Sequence, residues 1–541
     1  LGRALVTAFC GTLVWWSCYL PYDETAVLRA IPADVAFVSV HDNLGARWPD
    51  VCGSQLVRCL ALSAGVKTQD VVEAASDPEI IKWIRKLAGM QAAIAYTPSL
   101  SGTGREAWLI SSWIGGYSQR LRWMASLGLI KDAVPVGMCG RQRIWTAPIA
   151  GLPGNKKLSV AVSEGVLMCC ISAVSNGVSV MVEAFDRIGR SRPGISSEEL
   201  SQEASILHDC RVPDRGWVAY GRDWPSFSLE FDSLRGSNSW GRIRVRDVLQ
   251  SGVPPLKIGD LERLGTFLGD TPEIVTLFRA SHALQVLGMH GVPPEAKLFA
   301  DIVKRCSGDK GDPRMFMCLF GGKYRARIKS ILPDELGDLL GGIPVPVVMC
   351  GIEVDDADAA RQMATGLLDY LNAGCKLGII ARAIPVLSET VVAIEGTGQG
   401  DYSSFKAEER VAYTVCGRWL ILSSNVEILS KLVVRYQADE TKVQAMSGRW
   451  LKGLMRENAA TVYAWSDLDA AGVTLKDSMA LYKLSMKSDS TPEIRRLRHT
   501  LNFAMEWMDS IRQLNCGSIA ASTDGTITEL RFVQGTPGQD K

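Results

Sequence analysis

Histidine, serine and acidic side chains are the residues with which a hydrolase works, so their spacing is the first test for chemistry. A nucleophile elbow needs the pattern G-x-S-x-G, where a strained strand-to-helix turn exposes the serine hydroxyl. No such pattern occurs in the 541 residues. The five histidines lie far apart in the chain: His41, His208, His282, His290 and His499. His282 and His290 would be about 12 Å apart along a helix, too far to share a metal ion. The sequence therefore selects no catalytic residue and no metal ligand, although distant residues could still assemble into a site.

Three aspartates stand close together in VDDADAAR, at Asp355, Asp356 and Asp358. A calcium loop needs oxygen ligands at alternate positions, a glycine turn and a distal glutamate, and this segment lacks the glycine and the spacing. Carboxylates are also favoured at the positive end of a helix, where they accept hydrogen bonds from free main-chain N–H groups. We therefore predict that Asp355 or Asp356 caps a helix.

The segment Gly396–Gly400 reads GTGQG and follows a strand-like run. A phosphate or dinucleotide site needs a helix directly after the glycines, so that its amides face the anion. Here polar residues and the charged run KAEER lead to another strand-like run. A hairpin loop is the better interpretation, and no cofactor is predicted.

Composition excludes one further class of function. The chain has 59 basic and 58 acidic residues, a net charge of +1, and so lacks the field that gathers nucleic acid. Its fourteen cysteines include no C-x-x-C pair. Most are predicted to be small buried hydrophobic residues, and their pairing cannot be deduced from the sequence.

An uncharged run from Ala4 to Leu20 precedes the rest of the chain. As a helix it would be about 25 Å long, slightly short of a hydrocarbon core of about 30 Å. Arg3 lies before the run, Asp23 follows it, and aromatic residues crowd its far end, which is typical of an anchor with an extracytoplasmic body. We predict an uncleaved signal anchor within residues 1–24; a cleaved signal peptide and a buried apolar helix are the alternatives.

Two stretches far apart in the chain resemble each other. They read SVAVSEGVLMCCIS over Ser159–Ser172 and VAYTVCGRWLILSS over Val411–Ser424. Each is rich in β-forming residues, has one central glycine, Gly165 or Gly417, and runs into a helical pattern. Aligning the two glycines predicts a β-hairpin that recurs in two tandem units.

A shorter phrase, a strand-like run that leads to an aspartate, occurs three times and supports the same duplication. It is found at Val35–Val40 with Asp42, Trp217–Tyr220 with Asp223, and Thr461–Ser466 with Asp467.

The predicted elements follow the same order in both halves: helices, two strands, a helix, a strand, the hairpin, two helices and a strand. In the first half we predict helices at 51–62, 68–75, 78–87, 118–127, 178–188 and 197–208, and strands at 92–96, 107–113, 143–147 and from Trp217. In the second half we predict helices at 258–268, 272–289, 294–306, 356–372, 426–436, 442–454 and 492–514, and strands at 315–320, 345–352, 390–394 and from Thr461. Asp524-Gly525 closes a last hairpin of strands 518–522 and 526–533.

Neighbouring strands joined by short turns favour antiparallel sheets packed with helices, which is the α+β class. The best boundary between the halves is the turn-rich segment 252–255. We therefore predict an anchor over residues 1–24 and two related α+β units over residues 25–255 and 256–541.

The anchor, the phrase IPADVAFVSVHDNL after it, and the repeated units EGVLMCCIS and CGRWLILSS together resemble an uncharacterised bacterial family, the domain of unknown function 3352. That resemblance implies an N-terminal anchor, a P-A-D start and tandem α+β halves over most of residues 25–541. It implies no catalytic residue. This chain is richer in cysteine and tryptophan than the family pattern.

The sequence favours a non-enzymatic protein of the cell envelope, anchored in the inner membrane through residues 4–20, with a duplicated scaffold or binding ectodomain. Two alternatives stay open. One is an envelope enzyme, hydrolase-like, with a site in a cleft between the repeats. The other is a carrier of an apolar ligand, which the fifteen tryptophans permit. A protein partner is compatible with the first interpretation and is not identified by the sequence.

Overall fold

A computed structural model of the chain provides the three-dimensional structure. It describes residues 2–23, 25–31, 37–63, 68–97, 107–130, 134–139, 142–147, 157–172, 217–221, 227–235, 238–246, 249, 252–257, 262–269, 272–283, 312–321, 325–326, 343–344, 346–375, 379–396, 410–437, 450–451, 460–485, 492–523 and 527–535. The predicted helices at 178–188, 197–208 and 294–306, and most of the helix at 442–454, lie outside these residues.

The chain forms two compact units. Unit 1 comprises Leu1–Val57, Val66–Gly236 and Trp240–Arg246, and unit 2 comprises Arg58–Gly65, Ser237–Ser239 and Asp247–Lys541. Each unit has its own buried apolar core. The main change of unit lies at residues 246 and 247, whereas the sequence predicts it at residues 255 and 256.

Helices and strands alternate in both halves of the chain. The labelled helices of the first half are α1 (Gly2–Cys18), α2 (Ala26–Arg29), α3 (Leu44–Gly53), α4 (Gln55–Ser63), α5 (Thr68–Ser76), α6 (Pro78–Leu87) and α7 (Tyr117–Ser126). Its strands are β1 (Phe37–Asp42), β2 (Gln91–Thr97), β3 (Ala107–Trp113), β4 (Val134–Cys139), β5 (Gln142–Ala147), β6 (Lys157–Ser163), β7 (Val166–Ser172), β8 (Trp217–Gly221), β9 (Phe227–Arg235) and β10 (Asn238–Arg246).

The second half repeats this alternation. Its labelled helices are α8 (Glu262–Leu268), α9 (Ala357–Cys375), α10 (Val426–Tyr436), α11 (Leu468–Ser485) and α12 (Pro492–Arg512). Its strands are β11 (Pro272–Arg279), β12 (Arg314–Phe320), β13 (Arg325–Ala326), β14 (Ile343–Pro344), β15 (Val347–Glu353), β16 (Ile379–Val386), β17 (Glu389–Gly396), β18 (Ala412–Cys416), β19 (Trp419–Ser423), β20 (Val462–Asp467), β21 (Cys516–Thr523) and β22 (Ile527–Gln534).

The sheets of the two units have the same strand order. In unit 1 the order is β10-β9-β8-β1-β2-β3-β7-β6-β5-β4. In unit 2 it is β22-β21-β20-β11-β12-β15-β19-β18-β17-β16, and β13 and β14 form a separate two-stranded sheet. Counted in chain order, the third strand of each unit's large sheet (β3 or β15) pairs with the seventh (β7 or β19). The seventh strand forms a hairpin with the sixth (β6 or β18). The α+β class with antiparallel sheets is confirmed.

The ladders correct the alignment of the repeated hairpins. In unit 1, Ser163 pairs with Val166 across a turn of two residues, and in unit 2 Cys416 pairs with Trp419 across a turn of the same length. Gly165 is the second residue of its turn, whereas Gly417 is the first, so aligning the two glycines is wrong by one position. A slip of one residue exchanges the two faces of a strand. Both turn positions can require a positive φ, which glycine tolerates, so a glycine alone does not set the register.

A pair of main-chain hydrogen bonds supports the corrected register. After the third strand of unit 1, the Ile114 N–H donates to the carbonyl of Gly165 (2.8 Å). At the same place in unit 2, the Val354 N–H donates to the carbonyl of Arg418 (2.8 Å). Gly165 is thus equivalent to Arg418.

One of the three strand-to-aspartate phrases does not belong with the others. The runs from Trp217 and Thr461 form β8 and β20, which occupy equivalent positions. The run before Asp42 forms β1, whose counterpart is β11. β1 and β8 are antiparallel neighbours within one sheet, so the similarity of their sequences does not make them repeats of each other.

The helix predicted at 272–289 is wrong over its first half. Pro272–Arg279 is strand β11, which lies between β12 and β20. Pro-Glu resembles the start of a helix, but Ile274, Val275 and Thr276 are β-branched and favour a strand, and proline is tolerated at a strand's first residue. The prediction also omits α2, β4, β9, β10, β14, β16 and α11.

A helix that precedes the first strand packs on the core of each unit. α2 places Val27 and Leu28 among the buried residues of unit 1, with Val38 of β1. α8 places Phe267 and Leu268 in the core of unit 2, with Val275 of β11. α3 to α6 lie between the first two strands of unit 1, and α11 and α12 lie between the eighth and ninth strands of unit 2.

Candidate functional site

Strand β1 carries a serine and a histidine in direct contact. Ser39 and His41 stand two residues apart, so alternation points both side chains to the same face of the sheet. Their Oγ and Nε2 atoms are 2.8 Å apart, and both residues are buried. Burial, with a smaller contribution from the positive charge of Arg47, lowers the pKa of His41 to about 3. A general base works best with a pKa near the working pH, so this imidazole is suited to a structural role rather than to proton transfer.

The equivalent positions of unit 2 carry no such pair. The ladders place Thr276 at the position of Ser39 and Phe278 at that of His41. The serine–histidine contact is therefore a feature of unit 1 alone. This face of the first strand therefore carries a serine and a histidine in unit 1, and a threonine and a phenylalanine in unit 2.

A second serine, histidine and aspartate come together after β11. Both the Ser281 N–H and its hydroxyl donate to the carboxylate of Asp312 (2.8 and 2.5 Å), at the start of helical residues 280–283. In a catalytic triad the serine hydroxyl would instead be bonded to the imidazole. His282 is buried, and neither ring nitrogen has a hydrogen-bond partner among the described residues. The hydrogen bonds between Ser281 and Asp312 stabilise a turn, and they do not prepare the Ser281 hydroxyl as a nucleophile.

The electrostatics of this cluster favour a neutral histidine. Burial lowers the pKa of His282; the negative charge of Asp312 opposes the change and the positive charge of Arg279 adds to it. The Arg279 guanidinium donates to the carbonyl oxygens of Pro254, Pro255 and Asp312 at 2.8–3.2 Å. Arg279 thereby ties three loop carbonyls to the end of β11.

A buried ion pair joins β12 to β15. The Arg314 guanidinium donates from Nε and Nη2 to the two carboxylate oxygens of Glu353 (2.8 and 2.6 Å), and both side chains are almost fully buried. Arg418 in the hairpin turn lies 3.5 Å from the same carboxylate. Burial alone would raise the pKa of Glu353, but the hydrogen bonds and charge of Arg314, with the charge of Arg418, outweigh it and hold the pKa below its usual value. Glu353 is therefore ionised at neutral pH.

Asp356 caps a helix, in agreement with the prediction that Asp355 or Asp356 would do so. Asp356 Oδ1 accepts hydrogen bonds from the main-chain N–H groups of Asp358 (2.8 Å) and Ala359 (3.1 Å) at the start of α9. Asp358 pairs with Arg361 one turn later. Among the residues that the structure describes, no group of three or more histidine, cysteine or acidic side chains is placed to hold a metal ion.

Six cysteines on helices and strands within the described residues are free thiols: Cys10, Cys169, Cys170, Cys318, Cys350 and Cys416. Burial raises the pKa of Cys169 to about 12 and of Cys170 to about 11, and it raises that of Cys416 to about 12. A thiolate is the reactive form of cysteine. These thiols are therefore inert and pack as small hydrophobic residues.

Helix α1 has an unusual environment for an apolar segment. Every α1 side chain whose accessibility is described is exposed, including Phe9 at 66% and Trp15 at 61%. Trp15 stacks on Tyr19 with 5.0 Å between ring centroids. Directly after α1 the chain packs on the core of unit 1: Leu20 packs against that core, and Tyr22 makes an edge contact with Trp113. Of the helices within the described residues, none combines the length and the apolar character that a membrane span requires.

Three of the histidines and most of the glycine-rich segment considered in the sequence analysis, or their side chains, lie outside the described residues. His208, His290 and most of the loop 396–400 lie outside the described residues, and His499 is on α12 with its side chain outside them. Sequence reasoning missed the Arg314–Glu353 pair. A usable signal was present, because a charged residue begins the apolar run of β12 and another ends that of β15.

Comparison with known proteins adds little to this geometry. No protein-family model matches the sequence, and no characterised protein gives a significant sequence match. A solved structure titled "Structure of crystal form I of TP0453" aligns with 77% of this chain and 99% of its own chain, at 9% sequence identity and a TM-score of 0.20. A similarity at this level carries no argument about fold or function.

Proposed function

We propose that the protein is a non-enzymatic component of the cell envelope. In this proposal residues 4–20 anchor it in the inner membrane, and its two units form an extracytoplasmic scaffold or binding module. The observation that carries the proposal is α1, an uncharged helix from Ala4 onward with exposed Leu5, Val6 and Phe9. Transferring such side chains from water into hydrocarbon is favourable, by about 1.5–3 kcal/mol for each large one.

The buried polar groups support a non-enzymatic role. Ser39 and His41 are enclosed, the Ser281 hydroxyl is bonded to Asp312, and Glu353 is held by Arg314. Each group is satisfied within the fold or shielded from solvent. A catalytic group must reach a substrate, and such groups are commonly found in clefts with a strongly shifted pKa.

The common strand order of the two units supports descent from one duplicated segment. Ten strands of each unit occupy the same sequence and spatial order, and each unit encloses its own core. A duplicated module presents two similar surfaces, which suits a scaffold or a binding protein. The resemblance to the domain of unknown function 3352 is a prediction that agrees with this proposal.

Fractionation of cells that produce the full chain tests the anchor. We expect the protein in the membrane fraction, resistant to alkaline carbonate. The triple variant Leu5→Glu, Val6→Glu and Phe9→Glu should move to the soluble fraction. The matched control places three glutamates on exposed apolar residues of unit 2, Ile380, Leu387 and Val434, and should stay in the membrane. A wild-type chain that fractionates as a soluble protein, or an α1 variant that stays in the membrane, would contradict the proposal.

A carrier of an apolar ligand is a second candidate, favoured by one observation. The ladders place Trp108 of β3 and Val348 of β15 at equivalent positions, and both are exposed at 41% and 45%. Tyr96 lies 4.9 Å from Trp108 between ring centroids. Titration with a fluorescent fatty acid would detect such a ligand. Trp108→Ser with Val348→Ser should abolish the binding, and binding unchanged by both substitutions would remove this candidate.

A further inference from the structure

Helices α6 and α7 of unit 1 form a basic and aromatic surface. Between them they carry five basic residues and one acidic residue, a net charge of +4 in a chain whose total is +1. The basic residues are Lys82, Arg85, Lys86, Arg120 and Arg122, and the acidic residue is Glu79. The two helices thus concentrate positive charge on an otherwise balanced protein.

Contacts of the side chains hold the two helices together as one surface. Lys86 Nζ lies 5.4 Å from the ring centroid of Trp83 on its own helix and 5.6 Å from that of Tyr117 on α7. Leu87 and Leu121 pack on the same small apolar cluster against the sheet. The outward side of this pair is therefore fixed relative to unit 1.

Large apolar side chains project from the same pair of helices. Trp83 is 41% exposed, Trp123 is 53% exposed, and Leu127 just after α7 is 73% exposed. Arg120, Trp123 and Leu127 follow one another at spacings of three and four residues, so they share one face of α7. Exposed tryptophan and leucine beside lysine and arginine are typical of helices that lie in the headgroup region of an anionic bilayer.

The duplicated fold supplies an internal comparison. α9 occupies in unit 2 the place of α7 in unit 1, between the third and fourth strands. It has two aspartates and one arginine, and no tryptophan. Its exposed residues include Asp358, Arg361 and Thr365. Within the described residues, the basic and aromatic character of α7 is therefore not shared by its counterpart α9.

We propose that the α6–α7 surface binds the headgroups of anionic phospholipids, with Trp83 and Trp123 at the bilayer interface. The proposed ligand is a lipid surface because the exposed leucine fits hydrocarbon. A single-stranded nucleic acid would instead need a positively charged groove that follows its backbone, with aromatic side chains on which successive bases stack. The inference builds on the proposed function, since Leu20 packs on unit 1 within two residues of the end of α1. An anchored α1 would hold this unit against the membrane.

Vesicle co-sedimentation of the full chain separates this inference from the anchor. The parent protein for the test carries Leu5→Glu, Val6→Glu and Phe9→Glu, which removes the apolar character of α1. We expect it to bind phosphatidylcholine vesicles that contain phosphatidylglycerol, and not vesicles of phosphatidylcholine alone. The binding should weaken strongly as the salt concentration rises, because exposed charges are screened.

Charge variants then locate the surface. Each basic residue near an anionic bilayer contributes about a fivefold change in affinity, so Lys82→Gln with Arg85→Gln and Arg120→Gln should weaken binding roughly 100-fold. Trp83→Ser with Trp123→Ser should weaken it as well. The matched control removes three exposed basic residues of unit 2, Arg361, Arg382 and Lys431, and should bind like the parent. Circular dichroism checks that every variant is folded.

The inference is overturned if the parent fails to bind anionic vesicles, if the α6–α7 charge variant binds like the parent, or if the unit 2 control loses as much affinity. Stronger retention by a double-stranded oligonucleotide than by anionic vesicles would also overturn it. None of these results depends on α1. Conversely, if the wild-type chain does not bind phosphatidylcholine vesicles, the proposed anchor is wrong whatever the α6–α7 surface does.

Discussion

Unit 1 and unit 2 have different side chains at the same corner of the fold, where the third strand ends beside the hairpin turn. At the end of the third strand unit 1 has Trp113, which lies over the turn glycine Gly165, where an added Cβ would come within 2.6 Å of the indole. Unit 2 has Glu353 at the position of Trp113 and Arg418 at that of Gly165. In unit 1 an indole ring therefore lies against the main chain of a glycine, and in unit 2 a carboxylate lies near an arginine at the equivalent positions. The main-chain hydrogen bond across the corner is the same in both.

This comparison shows which features the two units share. Main-chain hydrogen bonds and strand order do not depend on the identity of the side chain, so they persist while each core is filled differently. Packing at one site constrains its contact partners, because a large ring needs a small partner and a buried charge needs its counter-ion. The two units therefore differ at both members of a contacting pair at this corner.

Breaking the buried ion pair of unit 2 should have the largest effect. Glu353→Ala leaves the guanidinium of Arg314 buried without its carboxylate, and we expect the free energy of unfolding to fall by about 3–5 kcal/mol. Urea unfolding followed by circular dichroism measures the loss. Hydrogen exchange in β12 and β15 would assign it to unit 2.

Two further variants control this experiment. Asp358→Ala breaks an exposed pair with Arg361 and should change stability by no more than about 0.5 kcal/mol. The double variant Arg314→Met with Glu353→Leu removes both charges and should recover most of the loss. A Glu353→Ala protein as stable as the Asp358→Ala protein would show that the pair is not buried as described.

Substitution to alanine at the equivalent turn positions, Gly165 in unit 1 and Arg418 in unit 2, should lower stability by different amounts. Gly165 has a φ of +86° and no room for a Cβ beside Trp113. Gly165→Ala should cost about 2–3 kcal/mol through backbone strain and overpacking. Arg418→Ala changes an exposed side chain at the equivalent position and should cost about 0.5 kcal/mol or less. Equal losses in urea unfolding would show that Trp113 does not exclude a Cβ at position 165.

The first strands should differ in their response to acid. The pKa of His41 is lowered to about 3 from an ordinary value of 6.5, so below pH 6.5 the unfolded chain binds more protons at this residue than the folded one does. Its contribution to stability is complete above pH 6.5 and declines as the pH falls toward 3. The expected loss is about 2 kcal/mol between pH 6.5 and about pH 5.

His41→Phe, which copies the residue of unit 2 at Phe278, should abolish this part of the pH dependence. Urea unfolding at a series of pH values measures it. Ser39→Ala keeps the imidazole and should keep the slope. A His41→Phe protein with the wild-type slope between pH 6.5 and 5 would mean that the imidazole is not held neutral by burial.

Helix α10 begins after a position where both units carry a residue type that can cap a helix. Asn425 Oδ1 accepts the Ile428 N–H at 2.9 Å and caps the helix, and the ladders place Ser172 at the equivalent position of unit 1. Asn425→Ala should cost about 1 kcal/mol, whereas Asn425→Ser should be nearly neutral, since serine caps about as well. Thermal unfolding of the two variants measures the difference. Equal destabilisation would show that the cap contributes nothing to the helix.

Elements that begin with a clear local signal, such as a capping residue before an amphipathic pattern, were predicted well from the sequence. α6 and α10 agree with the prediction to the residue, because Asp77 and Asn425 are capping residues placed directly before an amphipathic pattern. β11 was mispredicted because its Pro-Glu start is also a helix signal, and only its neighbours β12 and β20 make it a strand. The edge strands β4 and β16 were missed because an exposed edge has no clear alternation.

The polar clusters could not be predicted in the same way. Arg314 and Glu353 are 39 residues apart, and they meet because adjacent antiparallel strands bring the start of one beside the end of the next. Whether Ser39 and His41 were enclosed or accessible also depended on the elements packed over the sheet. The sequence identified candidate residues without indicating their exposure.

By itself the sequence determined the α+β class, the uncharged N-terminal run, the repeated hairpin and most of the helix starts, because each depends on residues within one turn or one strand of each other. Tertiary structure decided the register that makes Gly165 equivalent to Arg418, the burial that lowers the pKa of His41, and the pairing of Arg314 with Glu353. Those features arise where segments distant in the chain exclude water from the same space, and the free energy of that exclusion depends on every neighbour at once.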